Sequence, residues 1–352
     1  MIKMNVLIFP CNIESASAFV EHAQSLGANV IYASSIETQE QRHQVHHLPY
    51  VNTPEFADAF LDLINTHEIA YVYAAHDVVL QYLHRLKNEP SFSKKFMICN
   101  DYQHKVYQAK YEEALQFGTD VIAEQGKKPG LLSVEKYAHL YMQFNAVPGQ
   151  SDNAKLKSLI QLFIQVEQGD VVEIGSYWGR SAYALGFLAN QHGIGTTISV
   201  DPWDVISNDS QGEGTEVVNE ASRLIDWDLV FRGFIVNVSG LNNINYIRKP
   251  SDDAVYAYQQ AGAQGSLTTL ELGTTPLSGT IALLHIDGNH MYEQVKRDID
   301  RWLPHVKPGG WVLVDDYDWS FGDGPKKAGD ELLNHARVSE YFFASDTLFI
   351  RL

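Results

Sequence analysis

The stretch 170-DVVEIGSYWGRSAYALGFLA-189 decides the fold of the larger part of this chain. Its first five residues read as a buried strand, Gly175 and Gly179 bracket a tight turn, and the residues from Arg180 onward read as a helix. A strand that passes through a glycine turn into a helix is one joint of a parallel α/β sheet. Ligands of such sheets sit at the carboxyl ends of the strands. Glu173 stands at that end, where it can accept a hydrogen bond from an ammonium or a hydroxyl. The spacing is not the dinucleotide fingerprint, which would need glycine at Tyr177 and at Arg180. A pyrophosphate would also be poorly served beside Glu173. E-x-G-x-x-x-G suits a cofactor carrying an amino acid rather than phosphates, and a bare strand–turn–helix joint is the plainer alternative.

Further strands bring more polar residues to the same edge. The strand 196-TTISVDPW-203 ends in Asp201, where an acid holds a ribose diol in nucleotide-binding α/β folds. Trp203 is placed either to stack on an adenine or to pack in the core. A third strand near 244-INYIRKPS-251 points Ser251 and Asp252 to that edge. The apolar run 281-IALL-284 leads into 284-LHIDGNHMYEQV-295, a strand ending in Asp287, a turn at Gly288 and Asn289, and a helix opening on His290. Tyr292, Val295, Ile299, Trp302 and Leu303 follow at helical spacing. Taken alone, Asp287 reads equally well as a helix cap. Finally, 307-KPGGWVLVDDYDW-319 is a turn and a strand ending in Asp315 and Asp316.

Upstream lies a second alternation of strands and helices. The strands are 5-NVLIF-9, 29-NVIYAS-34, 69-IAYVYAA-75 and 96-FMI-98. Thr53 and Asp101 are expected to cap helices, the second of which ends at Gly118. The breaker-rich 124-EQGKKPGLLS-133 reads as a linker. The expected division is therefore a Rossmann-like domain over 1–123, a linker over 124–134 and an α/β domain over 135–352.

Composition narrows the function classes. The 352 residues are 45% hydrophobic and 20% charged, ordinary values for a globular protein, and the net charge is −17. That charge argues against a nucleic-acid backbone or an anionic membrane as partner. Cys11 and Cys99 offer at most one bridge and no zinc motif. No apolar run has the length of a membrane span, and 1-MIKMNVLIFP-10 lacks a signal-peptide cleavage pattern, so a cytoplasmic location is expected. The histidine-rich 42-RHQVHHL-48 reads as a solvated loop.

Several of these motifs resemble known families. The first 120 or so residues, with 110-KYEEALQFG-118, resemble the domain that precedes the ATP-grasp fold, but no ATP-grasp body follows. The run Glu173-Ile-Gly-Ser-Tyr-Trp-Gly-Arg-Ser181 resembles the first motif of class I S-adenosylmethionine-dependent methyltransferases. Tyr177 in place of the middle glycine is the form seen in catechol O-methyltransferase. Leu284–His290 followed by Gly309–Asp316 resembles the metal-dependent macrolide-sugar O-methyltransferases and the cephalosporin-hydroxylase-like proteins. Asp315 stands where the macrolide enzymes carry glutamate, and segments 204–240 and 262–280 match no known acceptor-side element.

This resemblance implies a class I methyltransferase domain that binds S-adenosyl-L-methionine. The cofactor positions it implies are Glu173, Gly175, Ser176, Gly179 and Asp201, with Tyr177, Ser181, Trp203, Ser251 and Asp287 on the same edge. It makes Asp287, Asp315 and Asp316 ligands of Mg²⁺ or another divalent cation, and His290 the general base. Such a metal would favour the alkoxide of a sugar hydroxyl, whose proton a neutral imidazole can take. The implied reaction is O-methylation of a hydroxyl on a sugar or glycosylated metabolite, with a small-molecule or glycan acceptor as partner and a homo-oligomer compatible with the sequence. The rivals are a cephalosporin-hydroxylase-like protein with other chemistry at the same metal, and a non-catalytic assembly module.

Overall fold

The computed structural model describes residues 4–36, 44–126, 128–206, 211 and 215–352. The chain divides into two compact units, residues 1–113 and 114–352. Both are α/β.

The first unit runs β1 (Asn5–Phe9), α1 (Glu14–Ser25), β2 (Asn29–Ser34), β3 (Val45–His47), α2 (Phe56–Thr66), β4 (Tyr71–Ala74), α3 (Asp77–Leu86) and β5 (Met97–Ile98). Its five strands are all parallel, in the order β3-β2-β1-β4-β5. Strand β3 corrects the reading of the histidine-rich segment as a loop: Tyr32 to Ser34 pair with Val45 to His47. Short polar strands are tolerated at a sheet edge because one side stays open to water. Residues 42 and 43 of that segment lie outside the described residues.

Helix α4 (Gln103–Gln125) departs from expectation at both ends. Its first amides, at Gln103 and His104, donate to the Asp77 carboxylate at 2.7 and 3.3 Å, so Asp77 rather than Asp101 caps it. Thr53 likewise does not cap α2; its hydroxyl donates back to the Tyr50 carbonyl at 3.0 Å. Nor does Gly118 end α4. A Cβ at that position would lie 2.5 Å from the Val134 carbonyl oxygen, so glycine serves close backbone approach in mid-helix. Phe117 and Val121, beyond it, belong to the core of the second unit with Tyr137, Leu140 and Leu156. The division thus falls inside α4 and ahead of 124–134, of which residue 127 lies outside the described residues.

The second unit continues with α5 (Val134–Ala146), α6 (Asn153–Phe163), β6 (Asp170–Ile174), α7 (Arg180–His192), β7 (Thr197–Val200), α8 (Glu216–Arg223), α9 (Trp227–Val238), β8 (Ile244–Ile247) and α10 (Ser251–Gln264). A two-stranded antiparallel sheet, β9 (Ser266–Thr269) and β10 (Gly273–Pro276), follows. The chain closes with β11 (Ile281–Ile286), α11 (Tyr292–Trp302), β12 (Val306–Val314), α12 (Gly324–Leu333), β13 (Glu340–Ala344) and β14 (Thr347–Arg351). The seven-stranded sheet has the order β13-β14-β12-β11-β6-β7-β8. Strands β8 to β12 in that row are parallel, and β14 runs antiparallel to both β12 and β13.

Every residue of β6, β7 and β11 is buried, which explains their nearly unbroken apolar runs. Alternate side chains feed two cores. Val172, Leu284 and Val312 pack under α10, α11 and α12, whereas Val171, Leu283 and Leu313 pack under α5, α6 and α7. Three ionisable residues interrupt these buried strands, Asp170 at the start of β6, Glu173 and His285, and the β6–β11 register sets the last two side by side. Among the described residues no helix is long and apolar enough to cross a membrane.

Candidate active site

The carboxyl ends of β6, β7, β11 and β12 open into one cleft of about 940 Å³. Its floor is the turn after β6. Gly175 has φ +85°, and a Cβ there would lie 2.0 Å from the Asp287 carbonyl oxygen, so the turn after β6 and the turn after β11 touch. Any side chain at this position would force them apart. Gly179 (φ +90°) stands at the start of α7.

Asp201, at the end of β7, closes that floor. One carboxylate oxygen accepts the amides of Ser176 and Tyr177 at 2.9 and 3.0 Å; the other accepts the Trp203 amide at 2.7 Å. Burial raises its pKa, against those three amides. A carboxylate has about four lone-pair sites, so Asp201 holds the loop and keeps one site for a ligand hydroxyl.

Ser176, Tyr177, Ser181, Ser251 and Asp287 border the cleft. Three expected cofactor residues do not: Gly179 packs against Phe234, whose ring a Cβ there would meet at 2.9 Å, and the other two are Glu173 and Trp203. Glu173 is fully buried, accepting the Ser176 hydroxyl at 2.6 Å and facing His285 Nδ1 at 3.2 Å, so it buttresses the loop from behind. Trp203 is 1% exposed, packed among Phe231, Phe234 and Tyr246, with its indole N–H on the Tyr177 carbonyl at 2.8 Å. It is a core residue rather than an adenine platform, because the chain turns inward after Asp201.

The acids expected to bind metal divide into two groups. Asp287 and Asp315 converge with His285, and their ligand atoms lie within 4.8 Å of one another. Asp316 instead accepts from His290 Nε2 at 2.7 Å. His290 precedes α11, which begins at Tyr292, and does not open it. Its ring stacks on Trp319 at 4.2 Å, and its Nδ1 faces the Gln211 side-chain oxygen at 2.8 Å. Asp287 caps nothing: the Met291 amide donates to Asn289 at 2.8 Å.

Lys155, a residue that the sequence reading passed over, completes the first group. It reaches in from α6 with its side chain 3% exposed, its ammonium bonded to Asp315 and 3.6 Å from Asp287. Thr347 also donates its hydroxyl to Asp315. Burial would neutralise the ammonium, but Asp315 and Asp287 outweigh it and hold its pKa above the ordinary lysine value. Burial likewise pushes Asp315 up, yet Lys155 and His285 bring it well below the usual carboxylate range. Asp287 goes the other way, raised by burial and by the charge of Asp315. His285 is pushed up to about 9: burial and Lys155 oppose its charge, and the neighbouring carboxylates of Asp315 and Glu173 prevail. The three-aspartate set therefore does not fit a divalent ion as expected. One aspartate is committed to His290, and a buried ammonium lies against the other two.

Residues 172–317 match the family described as a methyltransferase domain. Among solved structures, the chain is similar to the O-methyltransferase NovP, with 20% identity over 56% of this chain and 79% of that one and a TM-score of 0.40. It is also similar to CalS11, a TDP-rhamnose 3'-O-methyltransferase of calicheamicin biosynthesis, with 17% identity over 72% and 96% and a TM-score of 0.38. A third is MycE, from the mycinamycin pathway, in complex with Mg and SAH, at 15% identity over 60% and 53% and a TM-score of 0.35. The match over 172–317 covers the carboxyl ends of β6, β7, β8, β11 and β12, whereas Ser345 and Asp346 of the β13–β14 turn, which also border the cleft, lie beyond it.

Proposed function

We propose that the second unit transfers a methyl group from S-adenosylmethionine to a hydroxyl oxygen, with a sugar or glycosylated small molecule as acceptor. The observation that carries this reading is the placement of the His290–Asp316 pair on the cleft that Gly175, Ser176 and Asp201 also border. Cofactor loop and proton acceptor thus share one space. Eight aspartates line the cleft against Lys155, Arg180 and Arg297, a balance that favours a sulfonium over the pyrophosphate of a dinucleotide.

S-adenosylmethionine supplies, when bound, a methyl carbon open to attack by oxygen. The protein must do the rest. Asp316 fixes the His290 ring by accepting from Nε2, and the neutral ring then presents its Nδ1 lone pair as the base to an acceptor hydroxyl that takes the place of the Gln211 oxygen. The same histidine face on Trp319 gives a flat apolar wall beside the reacting position, suited to the C–H face of a sugar ring. Arg180 holds the rim by donating to the Val147 and Ser151 carbonyls at 2.7 and 2.9 Å. Alignment of the oxygen with the methyl carbon is then the main remaining requirement.

Incubation with methyl-labelled S-adenosylmethionine and a panel of sugars, nucleotide sugars and glycosides tests the proposal. Label should appear in a product ether, and not with the His290→Ala protein. Binding of NAD⁺ without binding of S-adenosylmethionine in calorimetry would defeat it.

A further inference from the structure

We infer that the Lys155 ammonium is the resident cation of the Asp287–Asp315 pair, so that this site takes no divalent metal. The inference is independent of the acceptor proposed above, and of methyl transfer itself. Two carboxylates that converge in a mostly buried place need a positive charge between them. Here α6 provides it, from a side chain 3% exposed whose ammonium bonds to Asp315 and lies 3.6 Å from Asp287. A divalent ion on the same oxygens would stand against that ammonium in a mostly buried place, where the repulsion is weakly screened. Lys155 also has no open path away, since it leaves a helix whose neighbours Leu156, Leu159 and Ile160 are buried.

The remaining atoms sharpen the case. His285 Nε2 is buried without a hydrogen-bond partner, 3.6 Å from Asp315 and 3.9 Å from Asp287. With an imidazole nitrogen and two carboxylates, this place holds a full set of metal donors once the lysine is gone. Lys155 is thus a positioning residue that acts through the two aspartates. Shortening it should create a metal site where the native chain has none.

Electron paramagnetic resonance of Mn²⁺ in the full-length protein tests this without any turnover. Titration of the native protein should leave the free-ion signal undiminished up to about a tenfold excess of protein over Mn²⁺. The Lys155→Ala protein should remove most of that signal at equal concentrations, and Lys155→Ala/His285→Ala should return it. Stoichiometric Mn²⁺ binding by the native protein overturns the inference, as does a folded Lys155→Ala protein that binds none. If the alanine protein does not fold, the native titration alone decides: an undiminished signal supports the inference and a bound ion defeats it.

Discussion

The two units share a five-strand parallel order. In the first it reads β3-β2-β1-β4-β5, and in the second β8-β7-β6-β11-β12 has the same sequence of crossovers. In both, the fourth strand of the chain order is followed by a histidine and an aspartate, yet these do opposite things. After β4, His76 Nδ1 accepts the Val78 amide at 3.1 Å and Asp77 accepts the first amides of α4. Both are helix caps. After β11, Asp287 and His290 cap nothing, and both face a cleft. The same residue types on the same topology therefore serve the backbone in one unit and a site in the other. What differs is whether a local amide satisfies the side chain, which supports reading function from the site rather than the fold.

The comparison breaks most visibly at the two histidines. His290→Ala should lower the methyl-transfer rate by about 10²–10⁴-fold, the usual contribution of a general base, with S-adenosylmethionine binding retained. His76→Ala should leave the rate unchanged. Equal losses from both, measured as initial rates, would erase the distinction drawn between cap and base.

Next in size is Lys155→Met, which strands Asp315 as a buried charge without its partner. It should destabilise the second unit by about 3–5 kcal/mol and leave the first unaffected. Denaturant unfolding followed by tryptophan fluorescence reports on this selectively, because all six tryptophans lie between Trp178 and Trp319.

A pH-dependent difference comes from Asp298, whose carboxyl accepts from Ser251 and is pushed by burial up to about 7. Unfolded, it loses its proton near 4; folded, it keeps the proton until about 7. The native state thus binds more protons between these values, so stability falls as pH rises through this window. The loss is on the order of 4 kcal/mol at pH 8. Asp298→Asn should remove that slope and raise the melting temperature at pH 8 but not at pH 4. A shift of equal size at both pH values would contradict the assignment.

The smallest effect expected on binding is at Asp201. Asp201→Asn should weaken S-adenosylmethionine binding by about 1–3 kcal/mol, partly by loosening the Ser176 and Tyr177 amides, as calorimetry would show. Dissection of the chain gives a last contrast. We propose that a fragment from 114 folds and binds the cofactor. One from 135 should be several kcal/mol less stable, having lost Phe117 and Val121 from its core.

The buried parallel strands β1, β2, β4, β6, β7, β8, β11 and β12, and the acids at their tips, were legible because such strands must be apolar runs and polar residues stand out at their ends; the short polar edge strand β3 and the antiparallel β13 and β14 were not. Less was legible where a residue's role is set by a distant partner. Lys155 lies on the buried stripe of 153-NAKLKSLIQLF-163, and His285 interrupts 281-IALLHI-286; a charge on an apolar face was the available signal for both. Neither shows its partner in sequence: Asp315 is 160 residues from Lys155, and Glu173 is 112 from His285. Trp203 was ambiguous for the same reason, since only tertiary packing tells a core indole from a stacking one. The end of α4 was misread because Gly118 carries the signature of a helix end while serving a close approach.

The contact of Gly175 with the Asp287 carbonyl also bears on how the chain reaches its native state. The cofactor loop cannot adopt its final shape until β11 has paired with β6, across more than a hundred residues of intervening chain. Helices and the β6–β7–β8 portion can form from nearer neighbours, but the cleft belongs to the last, most non-local step. A nascent or truncated chain ending before β11 would be compact without being able to hold the cofactor, so cofactor capture would mark completed folding of the second unit.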